Sequence, residues 1–212
     1  MEVKQNNLIK SLRIQPLIVV IRLENKFFNI SNNRENLLSK IQKLSTYGVK
    51  NIEIGWDPNP EWVNLILEIK QKFKSINIGV ASITSRQSLD SILSLDLNYS
   101  MSPFFNKEIH LKAIKYNQLV IPGISNIDNF KEAINLGYKI IKIYPASKLG
   151  TNFINELQNY KKKDIFFIGA GGIQSKNLNK LLKSGYDALV IGRELKDQTP
   201  DKDLKIWLKN NN

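Results

Sequence analysis

Two charged residues sit where charge is expensive. Lys142 lies within "YKIIKIYPAS" (138–147), among isoleucines and tyrosines, and Glu53 lies within "NIEIGW" (51–56). Lysine and glutamate are rarely buried, because an ammonium or carboxylate leaving water without a partner costs several kcal/mol or more. In both runs the neighbours alternate. If Ile52 and Ile54 face a helix layer, Glu53 faces the other way; if Ile141 and Ile143 do so, Lys142 points inward with Ile140 and Tyr144. One reading is a buried ion pair that fills space, a weak stabiliser because desolvation offsets its attraction. The other is chemical. A lysine in a partly dry pocket offers a neutral amine at neutral pH, and a neutral amine beside a carboxylate is what Schiff-base chemistry on a ketone needs.

The elements that would bring these residues together repeat along the chain. Short β-branched runs occur at 16–22, 51–56, 76–82, 97–103, 118–125, 138–145, 164–172 and 188–195. Helical periodicity fills the intervals, as in 33–48, 60–73 and 127–137, with Gly48, Gly137 and Gly185 as stop signals. Strands alternating with helices imply βαβ units and a parallel sheet. Eight such units predict one (β/α)8 TIM barrel over residues 1–212. An open doubly wound sheet would carry a nucleotide fingerprint, and "GAGG" (169–172) is not GxGxxG. In a barrel, chemistry belongs at the C-terminal ends of the strands. There the sequence offers Arg22, Glu53, Ser82, Ser102, Lys142, Gly171, Gly172, Gly192 and Arg193.

Composition narrows the chemistry further. The chain has no cysteine and a single histidine, His110, so thiolate metal sites, an HExxH motif and a histidine-rich zinc set are excluded. The net charge of +12 comes mostly from dispersed lysine, with only Arg13, Arg22, Arg34, Arg86 and Arg193 as arginines. No nucleic-acid-binding motif accompanies it, so no nucleic-acid partner is expected. The basic run "YKKKD" (160–164) reads as a helix end, where cations oppose the helix dipole favourably. The first residues lack the apolar core of a signal peptide, and "LIVVI" (17–21) is too short to span a bilayer. A cytoplasmic protein without a membrane partner is expected.

Glu53 in "IEIGW", "IPGIS" (121–125), Lys142 in "KIYPAS" and "GAGGI" (169–173) follow one another in a familiar order. The chain resembles the 2-keto-3-deoxy-6-phosphogluconate (KDPG) / 4-hydroxy-2-oxoglutarate (KHG) aldolase family from about Pro16 to Leu195. The resemblance implies a (β/α)8 barrel, usually a homotrimer, that cleaves a 2-keto-4-hydroxy acid to pyruvate and an aldehyde without metal or organic cofactor. It implies that Lys142 forms the Schiff base and that Glu53 is the general acid and base. A small-molecule keto acid would be held by Arg22, Ser82, Pro122, Gly171, Gly172, Gly192 and Arg193, with Ser102 and Pro103 shaping the pocket.

Three positions depart from the family pattern. Asp57 stands at or near a place where the family commonly has a carboxylate-binding arginine, Ala170 replaces a threonine, and Glu194 takes the place of a serine near the phosphate loop. These changes leave the proposed amine and carboxylate intact and alter the recognition shell. Two other readings stay open: a phosphate-binding barrel enzyme that forms no imine, and a barrel that has lost catalysis and binds a small anionic metabolite.

Overall fold

The computed structural model describes residues 1–24, 26–160, 165–193, 195 and 199–211. Its strands are β1 (Leu17–Ile21), β2 (Asn51–Gly55), β3 (Asn77–Ala81), β4 (Ser100–Met101), β5 (Val120–Ile121), β6 (Gly123–Ile124), β7 (Ile140–Ile143), β8 (Phe166–Ala170) and β9 (Ala188–Ile191). All pair in parallel, in the order β5-β4-β3-β2-β1-β9-β8-β7-β6. The helices are α1 (Glu2–Ile14), α2 (Asn33–Thr46), α3 (Glu61–Lys72), α4 (Arg86–Leu93), α5 (Lys107–Lys115), α6 (Ile127–Asn135), α7 (Ala146–Asn159), α8 (Leu178–Lys183) and α9 (Lys202–Asn210).

Nine segments replace the eight expected strands because of one residue. Pro122 has no N–H to give a ladder, so the fifth run is divided into β5 and β6. Before the proline, Ile121 accepts the Ser102 N–H at 3.0 Å; after it, Ile124 accepts the Tyr144 N–H at 3.0 Å. The Pro122 carbonyl itself accepts the Lys142 N–H at 2.9 Å. One continuous run thus bonds to β4 on one side and β7 on the other, and the ring closes there. Gly48, Gly137 and Gly185 end their helical segments with φ of 85°, 86° and 113°, a region that glycine enters without the clash a Cβ would bring.

β1 (LIVVI) reads as an unbroken apolar run because both of its faces are covered. Ile52, Ile54, Ile141 and Ile143 are fully buried. Trp62 on α3 is fully buried and donates its indole N–H to the Gly55 carbonyl at 3.0 Å, tying that helix to the C-terminal end of β2.

Helix α1 covers the opposite end of the barrel. Its Leu8 and Leu12 are buried, each contributing about 1.5–3 kcal/mol of apolar transfer. Two glutamines then bracket the chain entering two strands. Gln5 donates to the Gly137 carbonyl (3.2 Å) and accepts from the Lys139 N–H (2.7 Å). Gln15 does the same for the Gly48 carbonyl (2.8 Å) and the Lys50 N–H (2.8 Å). No helix among the described residues is long and apolar enough to cross a membrane.

Candidate active site

The cavity at the C-terminal mouth of the barrel measures about 510 Å³. Glu53 enters it from β2 and Lys142 from β7, with residue exposures of only 2 % and 7 %. Strand alternation therefore delivers both charges to one interior, as the pattern of flanking isoleucines requires. Burial pushes the Glu53 carboxyl up to about 7, against the opposing pull of Lys142 and Arg22. Burial likewise brings the Lys142 ammonium down to about 8; Glu53 works against that shift and Arg22 adds to it. The two groups exchange protons in the same pH range, so a neutral amine is accessible near neutrality. Lys142 Nζ lies 5.3 Å from the centroid of the Tyr144 ring, which closes one side of the amine's surroundings.

Cations rim this pair. Arg22, just past β1, reaches across to Ser82 with Nη1 3.5 Å from Oγ. Burial and the nearby charge of Arg193 both lower the Arg22 pKa, and a bound anion would relieve that crowding. Ser82 sits at φ 70°, an uncommon conformation for a residue with a Cβ, which aims its hydroxyl into the cavity after β3. Arg193 and Gly192 line the mouth beyond β9, and Gly171 and Gly172 line it beyond β8.

The glycines are sterically required. A Cβ on Gly172, at φ 71°, would stand 2.2 Å from Ser147 Oγ, and one on Gly192 would stand 2.4 Å from Val20 Cγ1. We expect Gly172→Ala to destabilise the protein by about 1–3 kcal/mol in urea unfolding, through the left-handed backbone and that overlap. An unchanged midpoint would show that the loop rearranges freely.

Other expected site residues are placed elsewhere. Pro122 does not line the cavity; it contributes the chain division and the carbonyl that fixes the Lys142 backbone. Ser102 is also withdrawn from it. Its hydroxyl approaches the Ile121 carbonyl (3.3 Å), the Gly123 N–H (3.3 Å) and His110 Nε2 (3.4 Å), while Pro103 beside it does reach the cavity. Asp57 turns away: its Oδ1 accepts the Asn59 N–H at 2.9 Å, and it is absent from the cavity wall. Asp57 is therefore not placed to touch a substrate in the cavity. Ala170 lines the cavity as expected. Glu194 and the lysines of "YKKKD" at 161–163 lie outside the described residues.

Ser147 and Lys148 line the cavity and were not singled out from sequence. They occupy the first turn of α7, which a non-helical Gly150 (φ 68°) sets apart from the rest of that helix. The signal was available, since they follow the Lys142 strand by one turn and strand-to-helix junctions at this end of a barrel face the mouth.

A family model described as "KDPG and KHG aldolase" matches residues 8–205. The chain belongs to that aldolase family. Among its curated relatives, 2-dehydro-3-deoxy-6-phosphogalactonate aldolase of Escherichia coli is 22% identical over 182 residues, 85% of this chain and 84% of the relative. Among solved structures, the KDPG aldolase of Legionella pneumophila, with pyruvate captured as a covalent carbinolamine, superposes with a TM-score of 0.75. It is 18% identical, covering 96% of this chain and 95% of that one. An N-acetylmannosamine-6-phosphate 2-epimerase from Clostridium perfringens superposes less well, with a TM-score of 0.66 at 19% identity over 90% of this chain and 91% of that one. At these identities the structural likeness speaks for the barrel, and membership of the aldolase family rests on the family match.

Proposed function

We propose that this protein is a class I aldolase that cleaves a 2-keto-4-hydroxy acid to pyruvate and an aldehyde. The observation that carries the reading is the buried Lys142–Glu53 pair inside a cavity rimmed by Arg22, Arg193 and Lys148. The neutral Lys142 amine attacks the C2 ketone to give a carbinolamine. A proton taken up from water lets the carbinolamine hydroxyl leave as water, which gives an iminium cation; that proton is released again when the imine is hydrolysed. Glu53 takes the proton of the C4 hydroxyl, directly or through a water; the C3–C4 bond breaks, the aldehyde departs, and the bonding electrons move into an enamine. Glu53 returns its proton to C3, and water hydrolyses the imine to release pyruvate and regenerate Lys142. Every proton in the sequence passes between the substrate, water and the two residues, so no cofactor enters.

Three cations and one carboxylate favour an anionic substrate. Arg22, beside Ser82 and near Arg193, and Lys148 on α7 offer positive charge to the two negative groups of such a substrate. A phosphorylated sugar acid and a dicarboxylic 4-hydroxy-2-oxo acid both meet that description, and the two relatives' named substrates favour the former. Family likeness also supports a homotrimer, which light scattering on the purified protein tests, and a cytoplasmic setting.

The deciding experiment is borohydride reduction in the presence of pyruvate, followed by peptide mass mapping. A reduced pyruvate adduct on Lys142 is expected. An adduct on another lysine, or none on folded protein, would sink the imine mechanism and favour a barrel that binds its ligand without covalent chemistry.

A further inference from the structure

A row of three residues crosses the barrel interior below the mouth. Glu53 on β2 stands opposite Gly79 on β3, and Val80 stands opposite Ser100, which sets Gly79 beside Tyr99, the residue just before β4. Residues in register in a parallel sheet share a face, and adjacent strands lie about 4.8 Å apart. Gly79 has no side chain, and the Tyr99 ring fills the space. A Cβ on Gly79 would stand 2.4 Å from Tyr99 Cζ, 2.6 Å from Cε2 and 2.8 Å from Cε1. The atom nearest Gly79 is the one that bears the hydroxyl. The hydroxyl end of the ring therefore lies over Gly79, the residue of β3 between Tyr99 and Glu53, and the Tyr99 hydroxyl feels the Glu53 charge.

Both ends of this row are incomplete. Glu53 Oε1 and the Tyr99 hydroxyl are each buried without a hydrogen-bond partner among the described residues. An unpaired buried hydroxyl or carboxylate oxygen is costly, and a phenylalanine would fill the Tyr99 site without that cost. The charges and titratable groups facing Glu53 are Lys142 from β7 and Arg22 from the end of β1; Tyr99 is itself coupled electrostatically to Glu53. Lys142 and Arg22 belong to the cavity side. Tyr99 is the O–H donor on the barrel side.

We propose that Tyr99 is a positioning residue for Glu53, its hydroxyl donating to Glu53 Oε1 through one bridging water below the cavity. This holds the second carboxylate oxygen toward the substrate and favours the ionised carboxylate, the form that accepts the C4 hydroxyl proton. The inference rests on the aldolase reading for its catalytic meaning and on the barrel geometry alone for the contact.

The test is a titration of Glu53 by carbon-13 NMR in protein labelled at the glutamate carboxyl, with Glu53→Gln assigning the resonance. In Tyr99→Phe the midpoint should rise by about half to one pH unit, because the charged form loses a donor. Below that midpoint, kcat should fall about three- to tenfold with KM little changed, and in the Glu53→Gln background Tyr99→Phe should have no further effect on kcat. An unmoved or lowered midpoint in folded Tyr99→Phe overturns the proposal. So does a Tyr99→Phe protein that fails to fold, since that hydroxyl would then support the core and not the carboxylate. The NMR midpoint is read without substrate, so a failure of the aldolase assignment, seen as a missing pyruvate adduct on Lys142, is distinguishable from a failure of this contact.

Discussion

Lys142→Ala should leave a folded protein with kcat for aldol cleavage reduced by about 10⁴-fold or more, the scale on which removal of a covalent nucleophile is felt. The reducible pyruvate adduct should vanish with it. Stability should not fall in parallel. The wild-type ammonium is brought down to about 8 by burial, so the fold bears an unfavourable charge that alanine does not carry. The chain around Lys142 is held by its backbone, through the Pro122 carbonyl and the pairing with β8, and neither depends on the side chain. A stable, inactive variant that forms no adduct is the full expectation. Near-normal turnover would show that the imine forms elsewhere or not at all.

Glu53→Gln separates two steps that Lys142→Ala removes together. Proton transfer by a positioned carboxylate contributes roughly 10²–10⁴-fold, so kcat should drop by that much. Imine formation should survive. Glu53 is the neighbour that opposes the fall of the Lys142 pKa, and without its charge burial takes that pKa lower still, leaving more neutral amine. Borohydride should therefore still trap pyruvate on Lys142 in a variant that hardly turns over.

The pH dependence has a definite sign. Catalysis needs both groups deprotonated, Glu53 with its pKa raised to about 7 and Lys142 with its pKa lowered to about 8. The wild-type rate at limiting substrate should climb through this window and level off above it. In Glu53→Gln the remaining climb belongs to Lys142 alone and should begin at lower pH. A wild-type rate that falls across the window would mean that the protonated forms do the work.

The sequence made the proposed catalytic pair legible because strand alternation is strict. With isoleucines on both sides, alternation alone assigns Glu53 and Lys142 to the interior. The eightfold rhythm of strands and helices was legible for the same reason. What escaped was set by three-dimensional detail that periodicity does not encode. Asp57 looked hostile to an anionic substrate, yet a local hydrogen bond to the Asn59 N–H turns it aside. Pro122 and Ser102 looked like pocket residues, yet one divides a strand and the other ties up the resulting ends. Lys148 went unremarked because a lysine in the first turn of a helix is unexceptional until the turn is seen to face the mouth. Tyr99 was hidden by Gly79: only the absent side chain on the neighbouring strand lets the ring reach toward Glu53.

Gln5 on α1 and Gln15 just past its end lend the barrel a division of labour. Gln5 and Gln15 each present one acceptor and one donor to the backbone, as an additional peptide unit would, so the floor is stitched by amides that carry no charge and do not titrate. The titrating groups of the cavity are gathered at the other end. A drift in the loops that choose the aldehyde therefore acts on one pole of the molecule, while the other keeps its seal. For anyone redesigning this chain toward a new substrate, the mouth is the page to write on, and the first turns of the sequence are its binding.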